Sequence, residues 1–171
     1  MLKNLIGISL SVLKYRVFGT RTPIVASIGV TSKCNLKCEY CYAEVDNLNG
    51  KDWPFEDLTK IIDQLHAMGT RVIMLQGGEP LLHTRIDDII EYVKSKNIYC
   101  SITTNSYTFS KHLDALKKLD QVQLSVDGNR EIMDNYRGEG AYDQAVLAAK
   151  LCDENKIPFH SDLPLIDNRR P

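Results

Sequence analysis

The sequence predicts an α/β fold, a partial (β/α) barrel of parallel strands with about five β/α units and an N-terminal helix. Three observations predict it. Short, near-continuous apolar runs alternate with segments of helical periodicity, the pattern of a parallel sheet. Polar motifs fall directly after the apolar runs, at the strand ends where such sheets place their ligands. At 171 residues the chain is long enough for one domain with a real core, yet short of the ~250 residues of an eight-unit barrel.

Residues 1–18 have the pattern of a helix, with Leu2, Leu5, Ile6, Leu13 and Val17 on one side and Lys3, Asn4, Ser11 and Lys14 on the other. Two readings stay open for it: a helix packed on the domain, or a basic amphipathic helix in peripheral contact with an anionic membrane. Gly19 and Pro23 end it. Residues 1–20 are thus an amphipathic helix and 21–171 the core domain. Ile24–Val30 reads as the first buried strand, and Asn47-Leu48-Asn49-Gly50 as a turn. Pro54 starts a helix whose apolar positions are Leu58, Ile61, Ile62, Leu65 and Met68. Strands follow at Arg71–Leu75, Ile98–Thr103, Val122–Val126 and Phe159–Leu163, with helices at Ile86–Val93, about Lys111–Lys118 and about Tyr142–Glu154 between them. From Pro164 the tail has no periodicity and is expected to be loose.

The composition, 43% hydrophobic and 25% charged, is that of an ordinary globular protein, and the net charge of −1 gives no case for a nucleic-acid partner. The charge is unevenly placed: six basic residues and no acid precede Glu39, an asymmetry that can mark a surface-binding arm. No apolar run reaches the ~20 residues of a membrane span. Leu5–Leu13 is followed by Lys14-Tyr15-Arg16 rather than a small-residue cleavage site, which argues against a signal peptide. Five cysteines, three of them clustered, argue against a disulfide framework and for a reducing, cytoplasmic compartment.

Those three, Cys34, Cys38 and Cys41, have the spacing C-x3-C-x2-C. Close spacing suits ligands of one metal centre, either an iron–sulfur cluster or zinc, and three thiolates leave a coordination position open. Cys100 and Cys152 lie in a strand and a helix and read as small buried hydrophobes. His66, His83 and His112 read as structural or surface residues.

The cysteine loop, with Tyr40 before its third cysteine, is followed by Gly77-Gly78-Glu79-Pro80, Thr103-Thr104-Asn105 and Ser125-Val126-Asp127-Gly128, each closing a strand. Over residues 24–155 the chain thereby resembles the radical S-adenosylmethionine enzymes. The resemblance implies that Cys34, Cys38 and Cys41 ligate three irons of a [4Fe-4S] cluster. It implies that S-adenosylmethionine chelates the fourth iron, and that one electron then yields a 5′-deoxyadenosyl radical which abstracts hydrogen from a substrate. Gly77, Gly78 and Glu79 correspond to the motif that receives the methionine ammonium, the glycines allowing close backbone approach to the ligand. Ser125 and Arg137 correspond to the pair that holds its carboxylate. Thr104 and Asn105 stand where relatives contact the sulfonium or ribose, Tyr40 by the adenine, and Asp127 at either the loop or the cofactor. No side-chain general base is assigned.

The resemblance implies an electron donor such as flavodoxin or ferredoxin. Ser-Val-Asp-Gly and Tyr-Arg-Gly are similar to segments of relatives that modify peptides, and the N-terminal helix is similar to that of relatives acting on lipids or at membranes. Family cores have six strand–helix units where about five are expected here, so the chain is naturally short, completed by a partner, or truncated. The alternatives are a non-catalytic iron–sulfur or S-adenosylmethionine-binding protein and an inactive truncated relative.

Overall fold

The computed structural model describes residues 22–41 and 49–161, and positions 6, 7, 9, 10, 13, 16, 17 and 19 of the N-terminal segment. Five parallel strands form one sheet in sequential order: β1 Val25–Thr31, β2 Val72–Gly77, β3 Tyr99–Thr104, β4 Gln121–Leu124 and β5 Phe159–Ser161. The helices are α1 Phe55–Met68, α2 Ile86–Ser95, the one-turn α3 Leu113–Leu116, α4 Arg130–Arg137 and α5 Ala141–Asn155. Because every crossover steps the same way along the sheet, right-handed connections put the helices on one face. A sheet covered in this way is the wall of a partial barrel, as expected.

The core lies between that face and the helices. Ile73, Leu75, Cys100, Ile102, Val122 and Leu124 pack there with Leu58, Ile62, Ile90, Val93 and Ala145, all of them buried. Val72, Met74 and Gln76, which alternate with the core residues of β2, are half-buried. Among the described residues the strands are thus more fully buried on the helix-covered face than on the inner one. Cys100 and Cys152 are fully buried, and burial pushes each thiol up to about 12.

Several boundaries differ from the sequence reading. β4 stops at Leu124, and Lys111–Lys118 divides into a 3₁₀ turn, Phe109–His112, and α3. Helix α4 was not expected. It is eight residues long, mostly polar, and buries only Met133, so it has little apolar content to announce it; Asn129 caps it by accepting from the Ile132 amide at 3.1 Å. The expected tail from Pro164 and the first half of the 47–50 turn lie outside the described residues. In the N-terminal segment the described positions 6, 7, 9, 10, 13, 16 and 17 are helical. Ile6, Leu10, Leu13 and Val17 are each more than half exposed, so these side chains are not packed on the domain. Gly7 lies against the Arg71 side chain. Among the described residues no helix is long and apolar enough to cross a membrane.

The ends of β1 and β2 meet closely. The Gly78 amide donates to Thr31 O at 2.8 Å and the Glu79 amide to Lys33 O at 2.7 Å. A Cβ on Gly77 would stand 2.3 Å from Thr31 O, and one on Gly78 2.2 Å from Lys33 O. Gly77 also has φ +148°. The two glycines therefore admit the backbone leading into Cys34; this contact, rather than a ligand, accounts for them sterically.

Asp52 braces the same corner from outside. Its carboxylate accepts from the Thr31 hydroxyl at 2.7 Å, Lys33 Nζ at 2.9 Å, and the Thr84 amide and hydroxyl at 3.2 and 3.1 Å. The residue ties the end of β1 to the turn after Pro80. His83 completes the brace: its Nδ1 accepts from the Arg85 amide at 2.9 Å, so the proton is on Nε2, which donates to Trp53 O at 2.9 Å. Burial works against the Asp52 charge, but Lys33 and the two hydroxyls hold its carboxyl well below the usual carboxylate range. A depressed folded-state value means stabilisation that is present above the unfolded value of ~4 and lost as pH falls through the folded one. Asp52→Asn is expected to destabilise the protein by about 1.5–3 kcal/mol at pH 7 in urea unfolding. The gap from the unsubstituted protein should close as the pH is lowered below ~4.

Candidate cluster and cofactor site

The chain leaves β1 at Thr31 and turns through the cysteine loop against the ends of β2, β3 and β4. Cys34 is buried; its sulfur accepts from the Leu36 amide at 3.5 Å and lies 3.9 Å from Asn105 Nδ2. Cys38 and Cys41 are half-buried and joined by a turn in which the Cys41 amide donates to Cys38 O at 3.2 Å. Burial pushes the Cys34 and Cys38 thiols up, and the Arg137 charge opposes it at Cys38. Metal coordination overrides such a shift, because the metal replaces the proton.

All three cysteines line one open cavity of about 180 Å³. The end of β2 supplies the opposite wall through Gln76, Gly77, Gly78 and Glu79. Thr103 of β3 and Asn105 just past it, Ser125 beyond β4 and Arg137 at the end of α4 complete it, with Tyr40 at the loop. Its volume is below the ~300–1,000 Å³ of a drug-sized ligand site, so these residues enclose one end of a ligand site rather than the whole.

Ten of the twelve residues singled out in the sequence line this cavity; Thr104 and Asp127 do not. The Thr104 hydroxyl donates to Glu79 Oε1 at 2.8 Å and accepts from the Ser106 amide at 3.0 Å, wholly inside the protein. Its neighbour Thr103, on the other side of the strand, is the one at the cavity. Glu79 is 1% exposed. Besides Thr104, its carboxylate accepts from the Leu81 amide at 3.0 Å and the Asn105 amide at 2.6 Å. Burial raises its pKa against these three donors. Glu79 therefore joins the ends of β2 and β3, and its contact with the cavity is secondary to that. Asn105 extends the join to the cysteine loop, donating to Asn35 Oδ1 at 2.8 Å.

Asp127 is the partner of Arg137. Its Oδ1 accepts from Arg137 Nη2 at 2.8 Å, and its Oδ2 accepts from both Arg137 Nε and the Tyr40 hydroxyl. Burial opposes the Asp127 charge, but Arg137 and Tyr40 hold its carboxyl below the ordinary value. The sequence reading missed Leu36, Gln76 and Thr103 at the cavity and Asp52 behind it. Asp52 sits in Lys51-Asp52-Trp53-Pro54, which matches no motif; only its tertiary partners reveal it.

The donor set has a definite chemistry. Among the described residues no three His, Cys, Asp or Glu side chains form a group able to hold a single metal ion. The three thiols surround a volume, the disposition suited to an iron–sulfur cluster in which each thiolate takes a different iron. A guanidinium across from backbone of the β2 end suits a ligand carrying both carboxylate and ammonium. The residues present fit a cluster and the amino-acid end of S-adenosylmethionine.

Comparison with known proteins agrees. The sequence model of the Radical SAM superfamily matches residues 28–168. Fe-coproporphyrin III synthase of Methanosarcina barkeri is 33% identical over 135 residues, which are 75% of this chain and 33% of that protein. The structure of anSMEcpe with bound AdoMet superposes with TM-score 0.66 and 26% identity, covering 80% of this chain and 42% of that one. Streptococcus suis SuiB bound to the precursor peptide SuiA has the same fold, with TM-score 0.64 and 21% identity over 92% of this chain and 43% of its own. The chain spans about a third of the length of the curated relatives it matches. With thiols, strand-end motifs and family match all falling on the same residues, the chain belongs to the Radical SAM superfamily, whose members are enzymes that use a [4Fe-4S] cluster and S-adenosylmethionine.

Proposed function

We propose that this chain carries the cluster and cofactor site of a radical S-adenosylmethionine enzyme that abstracts hydrogen from a peptide substrate. The observation that carries the reading is the convergence of three thiols, the Gly77–Gly78 backbone and Arg137 on one cavity at consecutive strand ends. Cys34, Cys38 and Cys41 would hold the cluster. Arg137 and Ser125 would take the methionine carboxylate, and the β2 end its ammonium. When bound, the two groups supply one-electron cleavage of the sulfonium and a 5′-deoxyadenosyl radical that takes hydrogen from the substrate. The residues of this chain bind and orient, and no side chain is needed as a base. A small electron-transfer protein such as flavodoxin or ferredoxin would supply the electron. Free cysteines throughout the described residues support a cytoplasmic setting.

Peptide is the favoured substrate class. SuiB, of the same fold, is known with its precursor peptide bound, and Ser125–Gly128 and Tyr136–Gly138 are similar to segments of peptide-modifying relatives.

We also propose peripheral contact with an anionic membrane through residues 1–18. Ile6, Leu10, Leu13 and Val17 recur at helical spacing and are exposed, in a stretch with basic residues and no acid. Such a face gains from apolar insertion and from anionic lipid together.

Anaerobically reconstituted protein is expected to hold about four irons per chain and, with dithionite and S-adenosylmethionine, to release 5′-deoxyadenosine. Cys38→Ala should lose both. An intact cluster without that product would leave only a binding function. With deuterated candidate substrates, label should appear in 5′-deoxyadenosine from peptides; label only from small molecules would overturn the peptide assignment. Deletion of residues 1–18 should abolish co-sedimentation with phosphatidylserine-containing vesicles, and unaltered co-sedimentation would refute the membrane contact.

A further inference from the structure

We propose that Asp127 is a positioning residue that holds Arg137 and Tyr40 as a fixed pair over the cysteine loop and sets which edge of the Arg137 guanidinium meets the cofactor. This rests on the reading of the cavity as a cluster and cofactor site.

The geometry singles out Asp127 among the strand-end residues. Ser125, just past β4, lines the cavity, whereas Asp127, two residues on, lies behind it. Its carboxylate takes Arg137 side-on, through Nε and Nη2. A guanidinium has five donor hydrogens in a planar array. Side-on pairing engages Nε and one hydrogen of Nη2, and among the described residues it leaves the end-on fork of Nη1 and Nη2 uncommitted. That fork can take a second carboxylate bidentately. The Arg137 side chain is only 14% exposed, so its orientation is set by this partner more than by solvent.

The same carboxylate reaches the cysteine loop. Tyr40, between Cys38 and Cys41, donates its hydroxyl to Asp127 Oδ2. The Arg137 guanidinium stands 5.7 Å from the centre of the Tyr40 ring, within cation–π range. The Tyr136 ring packs at 6.0 Å from that of Tyr40, and the Glu39 amide donates to Tyr136 O at 3.1 Å. Helix α4 and the cysteine loop are thus joined at a main-chain bond, a ring contact and one shared carboxylate. Among the described residues only the Asp127 carboxylate hydrogen-bonds to both functional side chains.

Two effects of removing the Asp127 charge oppose each other. A ligand carboxylate would lose a nearby like charge, which favours binding. Arg137 would lose its orienting partner, which disfavours it. The amino-acid end of S-adenosylmethionine is a zwitterion beside a sulfonium, a net charge of +1, so removing the Asp127 charge brings no net electrostatic gain to the group as a whole. Loss of orientation decides, and binding should weaken.

The test uses the full chain with its cluster reconstituted, and measures S-adenosylmethionine binding by equilibrium dialysis, apart from turnover. Asp127→Asn should raise Kd about ten-fold or more, with iron content close to that of the unsubstituted protein and a cooperative urea transition retained despite some loss of stability, and should raise KM for the cofactor more than it lowers kcat. Tyr40→Phe should weaken binding less. The double substitution should bind no more weakly than Asp127→Asn alone, because the Tyr40 hydroxyl acts through Asp127. Unchanged binding in Asp127→Asn, iron loss in step with binding loss, or additive losses in the double variant would each overturn the proposal. If Asp127→Asn does not fold, Tyr40→Phe decides, and unaltered binding overturns it. If the unsubstituted protein binds no S-adenosylmethionine, the reading of the site falls and this inference with it.

Discussion

Two backbones in contact, the residues after β1 and the Gly77-Gly78 turn after β2, set the geometry on which the rest of the site depends. The amides of Gly78 and Glu79 donate to Thr31 and Lys33, and side-chain-free positions let them come that close. This contact aims the chain into Cys34 across the strand ends instead of away from them. Every later feature of the cavity is measured from that direction. Asp52 holds the corner from outside, with both its Lys33 and threonine partners on segments that would otherwise separate.

Glu79 continues the same construction inward. A fully buried carboxylate is costly unless its lone pairs are met by donors, and here three donors from two segments meet them. The group binds the end of β2 to the end of β3, and Asn105 passes the link on to Asn35 and the neighbourhood of Cys34. On the far side Asp127 performs a parallel service for Arg137 and Tyr40. The site is therefore a rim of strand ends held together by two carboxylates. The groups lining the cavity include the three thiols, the β2-end backbone, the side-chain amides of Gln76 and Asn105, the hydroxyl residues Tyr40, Thr103 and Ser125, and the Arg137 guanidinium.

Much of this was legible in particular residues. The spacing of Cys34, Cys38 and Cys41 marks them as candidate ligands, and the structure brings all three to one cavity. Gly77-Gly78 and Ser125 appear directly after apolar runs, and strand ends are where parallel sheets open to ligands. Other assignments failed for reasons of geometry. Thr103 and Thr104 are adjacent, and a strand sends adjacent side chains to opposite faces; which of them meets the cavity is decided by packing. Helix α4 escaped notice because it buries a single residue, Met133, and is held instead by the Asn129 cap and by contacts with α5. Arg137 was singled out, but its place as the last residue of a helix was not expected.

The sequence by itself determined the alternation of strands and helices, the core, and the kinds of groups at the strand ends, because these follow from periodicity, burial of apolar side chains and local turn chemistry. The tertiary structure alone decided the partners: Gly77 and Gly78 against the backbone before Cys34, Glu79 with Thr104 and Asn105, Asp52 with Lys33 and Thr84, Asp127 with Arg137 and Tyr40. Apart from Asp127–Arg137, ten residues apart, these pairings join residues 19 or more positions apart, and the Asp127–Tyr40 bond spans 87 positions. A polar side chain shows in the sequence what it can bond to, but only the packed sheet brings one candidate within reach and turns the others away.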